Sequence, residues 1–122
     1  MSATRSQRIL IADNNPDVRE KLARYLRARG HDVTTAATGE QAFLALRDWS
    51  RPIDWLYTQA VLPGLIDGWI LAHEYHETHQ NRAVVISGSE ARISSRGDIV
   101  LNQPMPPTAF EAILGALSSA TQ

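Results

Sequence analysis

The chain has 122 residues, of which 43% are hydrophobic and 20% are charged, a composition typical of one soluble globular domain and not of a disordered segment. Its net charge is −1 and no basic block stands out, so neither nucleic acid nor a membrane is expected as a partner. Cysteine is absent, which excludes disulfide bonds, thiolate catalysis and cysteine-based metal sites. The polar residues 1–7 predict a flexible N-terminus rather than a signal peptide or a membrane span, and the cytoplasm is the expected location.

Short apolar runs alternate with amphipathic stretches along the chain. The run from Arg8 to Ala12 is almost entirely apolar, as in a strand that is buried on both faces. Asn14, Asn15 and Pro16 together are the signal for a helix start, with an Asx cap before the proline, and Gly30 is the signal for the end of that helix. The same kinds of pattern predict strands at residues 32–36, 53–60, 83–87 and 99–101, and helices from Thr38 to Trp49, from Trp69 to Thr78 and from Thr108 to Ser118.

Strands that alternate with helices predict an α/β fold with right-handed crossovers. Residues 1–122 are therefore expected to form one domain, a flavodoxin-like, doubly wound, five-stranded parallel sheet in the order 2-1-3-4-5. Residues 89–95 leave room for two helical turns at most, which predicts a shortened fourth helix. In such a sheet the chemistry collects at the carboxyl ends of the strands, and the polar residues predicted there are Asp13, Asn14, Gln59, Ser87, Asn102 and Gln103.

Four stretches at these strand ends resemble motifs of the bacterial response-regulator receiver domains. In chain order they are Ile9–Pro16, then Val61–Gly64 with Asp67–Gly68 and one extra residue inserted, then Ile86–Gly88, and finally Leu101–Pro104. The chain therefore resembles a receiver domain over nearly its whole length. This resemblance implies a place in two-component, or phosphorelay, signal transduction.

The resemblance also implies a role for each of five positions in a phosphorylation pocket. Asp13 matches the first of two acids that hold Mg²⁺ in active receivers, whereas Asn14 stands where the second acid is expected. Gln59 occupies the position of the phosphoaccepting aspartate, four residues before Pro63. Ser87 retains the hydroxyl that contacts the phosphoryl oxygens, but Gln103 replaces the charge-neutralising lysine. Three of the five groups are thus neutral amides.

Gln59 decides what this pocket can do. An amide has no carboxylate with which to form an acyl phosphate, so the resemblance is to a degenerate pseudo-receiver and not to an enzyme. Because Asp13 is the one acid left, Mg²⁺ binding is expected to be weak or absent, and no cofactor or metal site is predicted. Loss of the acids would leave a lysine unpaired, so Gln103 restores the balance of charge. We expect a neutral hydrogen-bonded cluster in which Gln59 and Gln103 can pair.

Two further positions bear on switching. Active receivers turn an aromatic side chain on the fifth strand, and the matching residue here is Val100, which offers no such rotamer change. The peptide bond between Gln103 and Pro104 is usually cis in the family, and we expect a cis proline at Pro104.

Surface residues suggest where a partner could bind. Trp69 at the start of the third helix is a candidate anchor, and Arg92 and Arg96 in the shortened fourth-helix segment could contact an acidic partner. The favoured interpretation of Trp69 is that it covers the edge of the core, with its N–H hydrogen-bonded. For the two arginines an ordinary solvated pair is favoured over partner binding.

Three histidines, His73, His76 and His79, recur every third residue in the third predicted helix. They do not match the His-Glu-x-x-His zinc motif, because Glu77 stands in its last position. We therefore expect a solvated polar helix face, with a pH-sensitive surface as the alternative.

The favoured function is a phosphorylation-independent protein-binding module whose partner is a histidine kinase or a phosphotransfer domain. Because the chain stops about one helix after the fifth strand, no DNA-binding or catalytic domain is expected to follow. Three alternatives stay open: a phosphoacceptor that uses Asp13 with weak Mg²⁺ binding, a small-ligand sensor that uses the neutralised pocket, and a structural dimerisation domain. The sequence leaves a homodimer undecided.

Overall fold

The computed structural model of the chain describes residues 6–80, 82, 84–88 and 99–102. Within these ranges the elements are β1 (Arg8–Ala12), α1 (Pro16–Ala28), β2 (Asp32–Ala36), α2 (Gly39–Leu46), β3 (Trp55–Gln59), α3 (Gly68–Thr78), β4 (Val85–Gly88) and β5 (Ile99–Asn102). All strand pairs are parallel and the order is β2-β1-β3-β4-β5, which confirms the predicted α/β fold and its strand order. The predicted fourth and last helices lie outside the described residues.

Each described helix begins at a side-chain cap. Asn15 accepts a hydrogen bond from the amide of Asp17 at 3.0 Å, and Pro16 opens α1, as predicted. The hydroxyl of Thr38 and the carboxylate of Asp67 cap α2 and α3 in the same way. These caps fix where the chain turns from strand end to helix start.

The prediction that α2 runs to Trp49 is wrong, because the helix ends at Leu46. The Asp48 side chain accepts hydrogen bonds from the amide and the hydroxyl of Ser50, which stabilises a turn in place of another helical turn. The third strand is also shorter than predicted, since it begins at Trp55 and ends at Gln59.

The sheet separates two apolar clusters. One lies between the sheet and α1 and contains Ile9, Ile11, Leu22, Ala23, Leu26, Val33, Trp55, Tyr57 and Val85. The other lies under α2 and α3 and includes Leu10, Leu56, Leu71, Tyr75 and Ile86. Because side chains alternate along a strand, Gln59 lies on the same face of β3 as Tyr57, the α1 face.

Asp54 lies just before β3, at the amino ends of the strands. Its carboxylate accepts a hydrogen bond from the amide of Arg8 at 2.8 Å, and its carbonyl oxygen accepts one from Arg82 at 2.7 Å and another from the Tyr75 hydroxyl. Asp54 is therefore far from the carboxyl end of β3.

Gln7, the last residue of the predicted flexible N-terminus, makes two backbone hydrogen bonds. Its amide donates to Nδ1 of His31 at 3.1 Å, and its carbonyl oxygen accepts the amide of Asp32 at 2.9 Å. Two hydrogen bonds thus fasten Gln7 beside the start of β2.

The prediction of a solvated histidine face is also wrong in part. His73 is exposed, but His76 is only 2% exposed, and the ring of His79 stacks on Tyr75 with centroids 4.5 Å apart. Steps of three residues drift around a helix of 3.6 residues per turn, so the three rings do not share a face.

None of the helices in the described ranges has the length and apolar character needed to cross a bilayer.

Candidate functional site

The register of the sheet brings the predicted pocket residues together. Ala12 pairs with Thr58, and Gln59 pairs with Ser87, so β1, β3 and β4 end at the same edge. Asp13 follows directly on Ala12 and therefore stands at this edge as well. At the next strand, Asn102 pairs with Gly88. Gln103 and Pro104 lie outside the described residues, as does the predicted pair between Gln59 and Gln103.

The side chain of Gln59 turns toward the loop after β1. Its Oε1 atom accepts a hydrogen bond from the backbone amide of Asn14 at 3.0 Å. The Asn14 side chain is exposed to solvent, whereas Gln59 is half-buried. The amide at position 59 therefore joins β3 to the β1–α1 loop across the site.

The carboxylate of Asp13 is enclosed. Its exposed fraction is 0%, Oδ1 accepts the amide of Asn15 at 2.9 Å, and Oδ2 lies 3.4 Å from the hydroxyl of Tyr57. Burial raises the pKa of Asp13, while these hydrogen bonds and the charge of Arg19 act in the opposite direction. Both carboxylate oxygens thus have a protein donor.

Two residues of the site were missed in the sequence. Tyr57 is 1% exposed and stands between the carboxylate of Asp13 and the side chain of Ser87. The guanidinium of Arg19 donates to the backbone oxygen of Asp13 at 3.0 Å. Tyr57 could have been found from alternation, because it precedes Gln59 by two residues in a buried strand and its hydroxyl needs a partner.

Burial raises the pKa of Tyr57 to about 12, and the neighbouring Asp13 carboxylate acts in the same direction. A contact with Ser87 opposes this rise. Ser87 is 1% exposed, and among the described residues its hydroxyl finds no partner with full hydrogen-bond geometry, so the contact is loose. Tyr57 therefore remains a protonated donor at neutral pH.

The loop between β3 and α3 follows directly on Gln59, and its conformation depends on close backbone approaches. A Cβ atom on Gly68 would overlap the backbone oxygen of Gln59, and one on Gly39 would overlap that of Ile66. The Gly68 amide donates to the backbone oxygen of Ala60 at 3.0 Å. The start of α3 thus lies directly against the backbone of Gln59.

The fold is shared with signalling domains of known structure. A response regulator receiver protein from Sinorhizobium medicae matches with a TM-score of 0.85 and 24% identity, over 96% of this chain and 98% of that one. The receiver domain from the hybrid histidine kinase CckA matches with a TM-score of 0.77 and 28% identity, over 90% of this chain and 97% of that one. By fold, the chain is a response-regulator receiver domain.

The receiver domain also has a relative among characterised proteins. It is 32% identical over 89 residues to the transcriptional regulatory protein AruR of Pseudomonas aeruginosa, a match that covers 70% of this chain and 36% of that protein. The chain thus spans about a third of the length of this relative. No protein-family profile matches the receiver domain.

The pocket residues that the structure describes do not fit the Mg²⁺ ion that the family's phosphorylation chemistry uses. A hard dication needs several oxygen ligands, and the first-acid position, Asp13, is buried with both oxygens engaged. Gln59 Oε1 is committed to the Asn14 amide, and neither side chain carries charge. In the described ranges no three His, Asp or Glu side chains form a group suited to holding a metal ion.

The remaining predicted residues are placed as follows. Val100 is half-buried in β5 and pairs with Ile86 of β4. Trp69 is half-buried and packs against the α2–α3 cluster, so it covers the edge of the core. Arg92 and Arg96 lie outside the described residues. The candidate partner face therefore stays a prediction, and Trp69 contributes to the core in addition to any role in binding.

Proposed function

We propose that this receiver domain acts in two-component signal transduction without accepting a phosphoryl group, by binding a protein partner. The observation that carries the proposal is Gln59, which stands at the end of β3 opposite Ser87 with its side-chain oxygen bound to the Asn14 amide. A carboxylate at this place would attack a phosphoryl donor, whereas an amide that is already hydrogen-bonded has no such chemistry.

The charges of the site support the same proposal. Phosphoryl transfer brings negative groups together and requires cations that offset their repulsion. Here Asn14 and Gln59 are neutral, and the remaining carboxylate of Asp13 is matched by the Asn15 amide, the Tyr57 hydroxyl and the nearby charge of Arg19. The Gln59 side-chain oxygen and both oxygens of the Asp13 carboxylate thus have hydrogen-bond donors within the protein, which suits a structural role better than a reactive one.

The alternative in which Asp13 accepts the phosphoryl group finds little support. The carboxylate has no exposed surface, and both of its oxygens meet donors from the protein. A phosphoryl donor must approach the nucleophile in line, so Asp13 would first have to leave these partners.

Intact-mass spectrometry after incubation with acetyl phosphate and Mg²⁺ tests the loss of phosphorylation. We expect no added phosphoryl group on the wild-type chain, while a receiver domain that retains its aspartate serves as the positive control. Addition of a phosphoryl group would overturn the proposal. If that addition is then lost in an Asp13→Asn variant, Asp13 is the acceptor.

The partner is proposed to be a histidine kinase or a phosphotransfer domain, in keeping with a location in the cytoplasm. Titration calorimetry with such domains from the source organism tests this, with and without acetyl phosphate and Mg²⁺. We expect dissociation constants that agree within about twofold between the two conditions, because no switch in the pocket responds to them. A much tighter complex in the presence of both reagents would contradict phosphorylation independence.

A further inference from the structure

Tyr57 introduces a large polar side chain where the pocket meets the core. It lies on β3, two residues before Gln59, on the face that packs against α1. Its ring belongs to the apolar cluster, whereas its hydroxyl reaches the Oδ2 atom of Asp13. Packing in the apolar cluster thus holds the Tyr57 ring in place and positions its hydroxyl beside the Asp13 carboxylate.

The distance from this hydroxyl to Oδ2 is 3.4 Å, which is long for a bond between two oxygen atoms. The bond is therefore weak by geometry, and the position of the hydroxyl matters more than its strength. A buried carboxylate leaves few directions from which a cation can reach it. The Asn15 amide occupies Oδ1, and the Tyr57 hydroxyl stands against Oδ2.

A divalent cation would compete with Tyr57 for the same oxygen. Mg²⁺ binds carboxylate oxygens directly and keeps the rest of its octahedral shell as water, so it needs open volume beside Oδ2. The phenol fills space there and supplies a partial positive charge at its hydrogen atom. The guanidinium of Arg19, at 3.0 Å from the Asp13 backbone oxygen, adds a full positive charge nearby.

We propose that the Tyr57 hydroxyl takes the place of the divalent cation as the partner of Asp13, and that Tyr57 keeps the pocket closed to Mg²⁺ even when the missing acids are restored. This inference rests on the proposed function, because it explains how a receiver pocket is held together without phosphorylation. It adds a residue outside the five pocket positions as the determinant of metal exclusion.

The test compares Mg²⁺ affinity in two variants by titration calorimetry. The first variant combines Asn14→Asp with Gln59→Asp, and the second adds Tyr57→Phe, which keeps the ring and removes the hydroxyl. We expect the second variant to bind Mg²⁺ roughly tenfold more tightly, because removal of the hydroxyl frees Oδ2 and opens space beside it for the ion. Should the Tyr57→Phe variant fail to fold, Tyr57→Leu removes the hydroxyl in the same background.

Tyr75→Phe in the same double-variant background is the matched control. Tyr75 is also a buried tyrosine whose pKa is raised to about 12, but its hydroxyl donates to the backbone oxygen of Asp54 at the opposite edge of the sheet. We expect Tyr75→Phe to change thermal stability without changing Mg²⁺ affinity. A gain of affinity in this control equal to that of Tyr57→Phe would assign the effect to general loosening and overturn the inference.

Equal Mg²⁺ affinity with and without the Tyr57 hydroxyl, including no detectable binding in either variant, would also overturn it. That result leaves the proposed function standing, provided the wild-type chain takes up no phosphoryl group. Tight Mg²⁺ binding together with phosphorylation of the wild-type chain would instead remove the proposed function, whatever Tyr57 does in the variants.

Discussion

The side-chain oxygen of Gln59 and the backbone amide of Asn14 form a 3.0 Å hydrogen bond that joins the end of β3 to the loop after β1. The resemblance to receiver domains implies that phosphorylated receivers carry acids at the matching positions, and two such acids repel each other unless a cation lies between them. Here the contact itself holds the two segments together. Exchange of a charged, ion-dependent contact for a neutral one is the physical basis of the predictions about this site.

Gln59→Glu keeps the shape and the acceptor oxygen of the side chain and adds one negative charge near buried Asp13. We expect the free energy of unfolding at pH 7 to fall by roughly 1–2 kcal/mol, because two carboxylates then share one site. Chemical denaturation measures this loss, which should shrink as the pH is lowered toward 4.

Gln41→Glu is the matched control for that substitution. Gln41 Oε1 also accepts a backbone amide, that of Ala37 at 2.9 Å, but it is exposed in the first turn of α2. A negative charge near a helix N-terminus is favourable, so we expect no loss of stability. Equal losses of unfolding free energy in Gln59→Glu and Gln41→Glu would show that the site around Asp13 does not disfavour a negative charge at position 59.

Gly68→Ala is expected to destabilise the domain by about 1–3 kcal/mol, because the new Cβ would overlap the backbone oxygen of Gln59 and push α3 away from β3. Thermal unfolding of the variant measures the loss. Gly30→Ala separates crowding from backbone strain. Gly30 has a φ of 92° and no atom near its missing Cβ, so its cost of about 1 kcal/mol comes from conformation alone.

A paired measurement of the site distinguishes these two glycines further. The amide resonance of Asn14 reports the hydrogen bond to Gln59, and we expect it to shift in Gly68→Ala but not in Gly30→Ala. An unchanged Asn14 resonance in Gly68→Ala would contradict the view that α3 is packed against this part of the site.

The sequence indicates where the strands and helices lie, because most strands are apolar runs and each described helix starts at a capping residue, whereas the strand order follows from the known order of doubly wound folds. Asn15, Thr38 and Asp67 all cap helices, and each can be recognised without knowledge of the fold. The position of Gln59 near a strand end follows from the same local pattern, since the turn residues Pro63 and Gly64 follow it.

The contacts of the site join residues that are far apart in the sequence, and no local sequence pattern predicts them. Tyr57 and Asp13 are 44 residues apart, and their contact follows from the register of β1 and β3 and the length of a tyrosine side chain. The burial of His76 was missed because the charged neighbours around it indicate a solvated helix, whereas the phase of α3 turns that one ring inward. The amino-acid composition of a helix does not determine which of its sides faces the core.

Arg19 is predicted to help keep Asp13 ionised. Its charge lowers the pKa of the Asp13 carboxyl against the larger effect of burial, so Arg19→Gln should raise that pKa further. Carbon-detected NMR titration of the Asp13 side chain measures the change. Arg24→Gln on the exposed side of α1 is the control, and we expect it to leave the Asp13 titration where it is in the wild type.

We predict that protonation of His79, just beyond the end of α3, lowers the stability of the domain in mild acid. Burial lowers its pKa below 6.5, and the charge of Arg82 acts in the same direction, against smaller effects of the Tyr75 backbone and Asp54. The unfolded chain therefore binds a proton at His79 more readily than the folded chain does. The stabilising contribution is complete above about pH 6.5 and is lost as the pH falls from 6.5 through the lowered value.

Chemical denaturation between pH 7.5 and pH 5 checks this, at about unit intervals of pH. We expect the free energy of unfolding of His79→Gln to fall less steeply with acid than that of the wild type, since glutamine does not titrate. Gln80→Ala changes the neighbouring side chain without removing a titrating group and should keep the wild-type slope. If His79→Gln and the wild type lose stability in parallel, the acid sensitivity comes from another group, and the stacking of His79 on Tyr75 has no part in it.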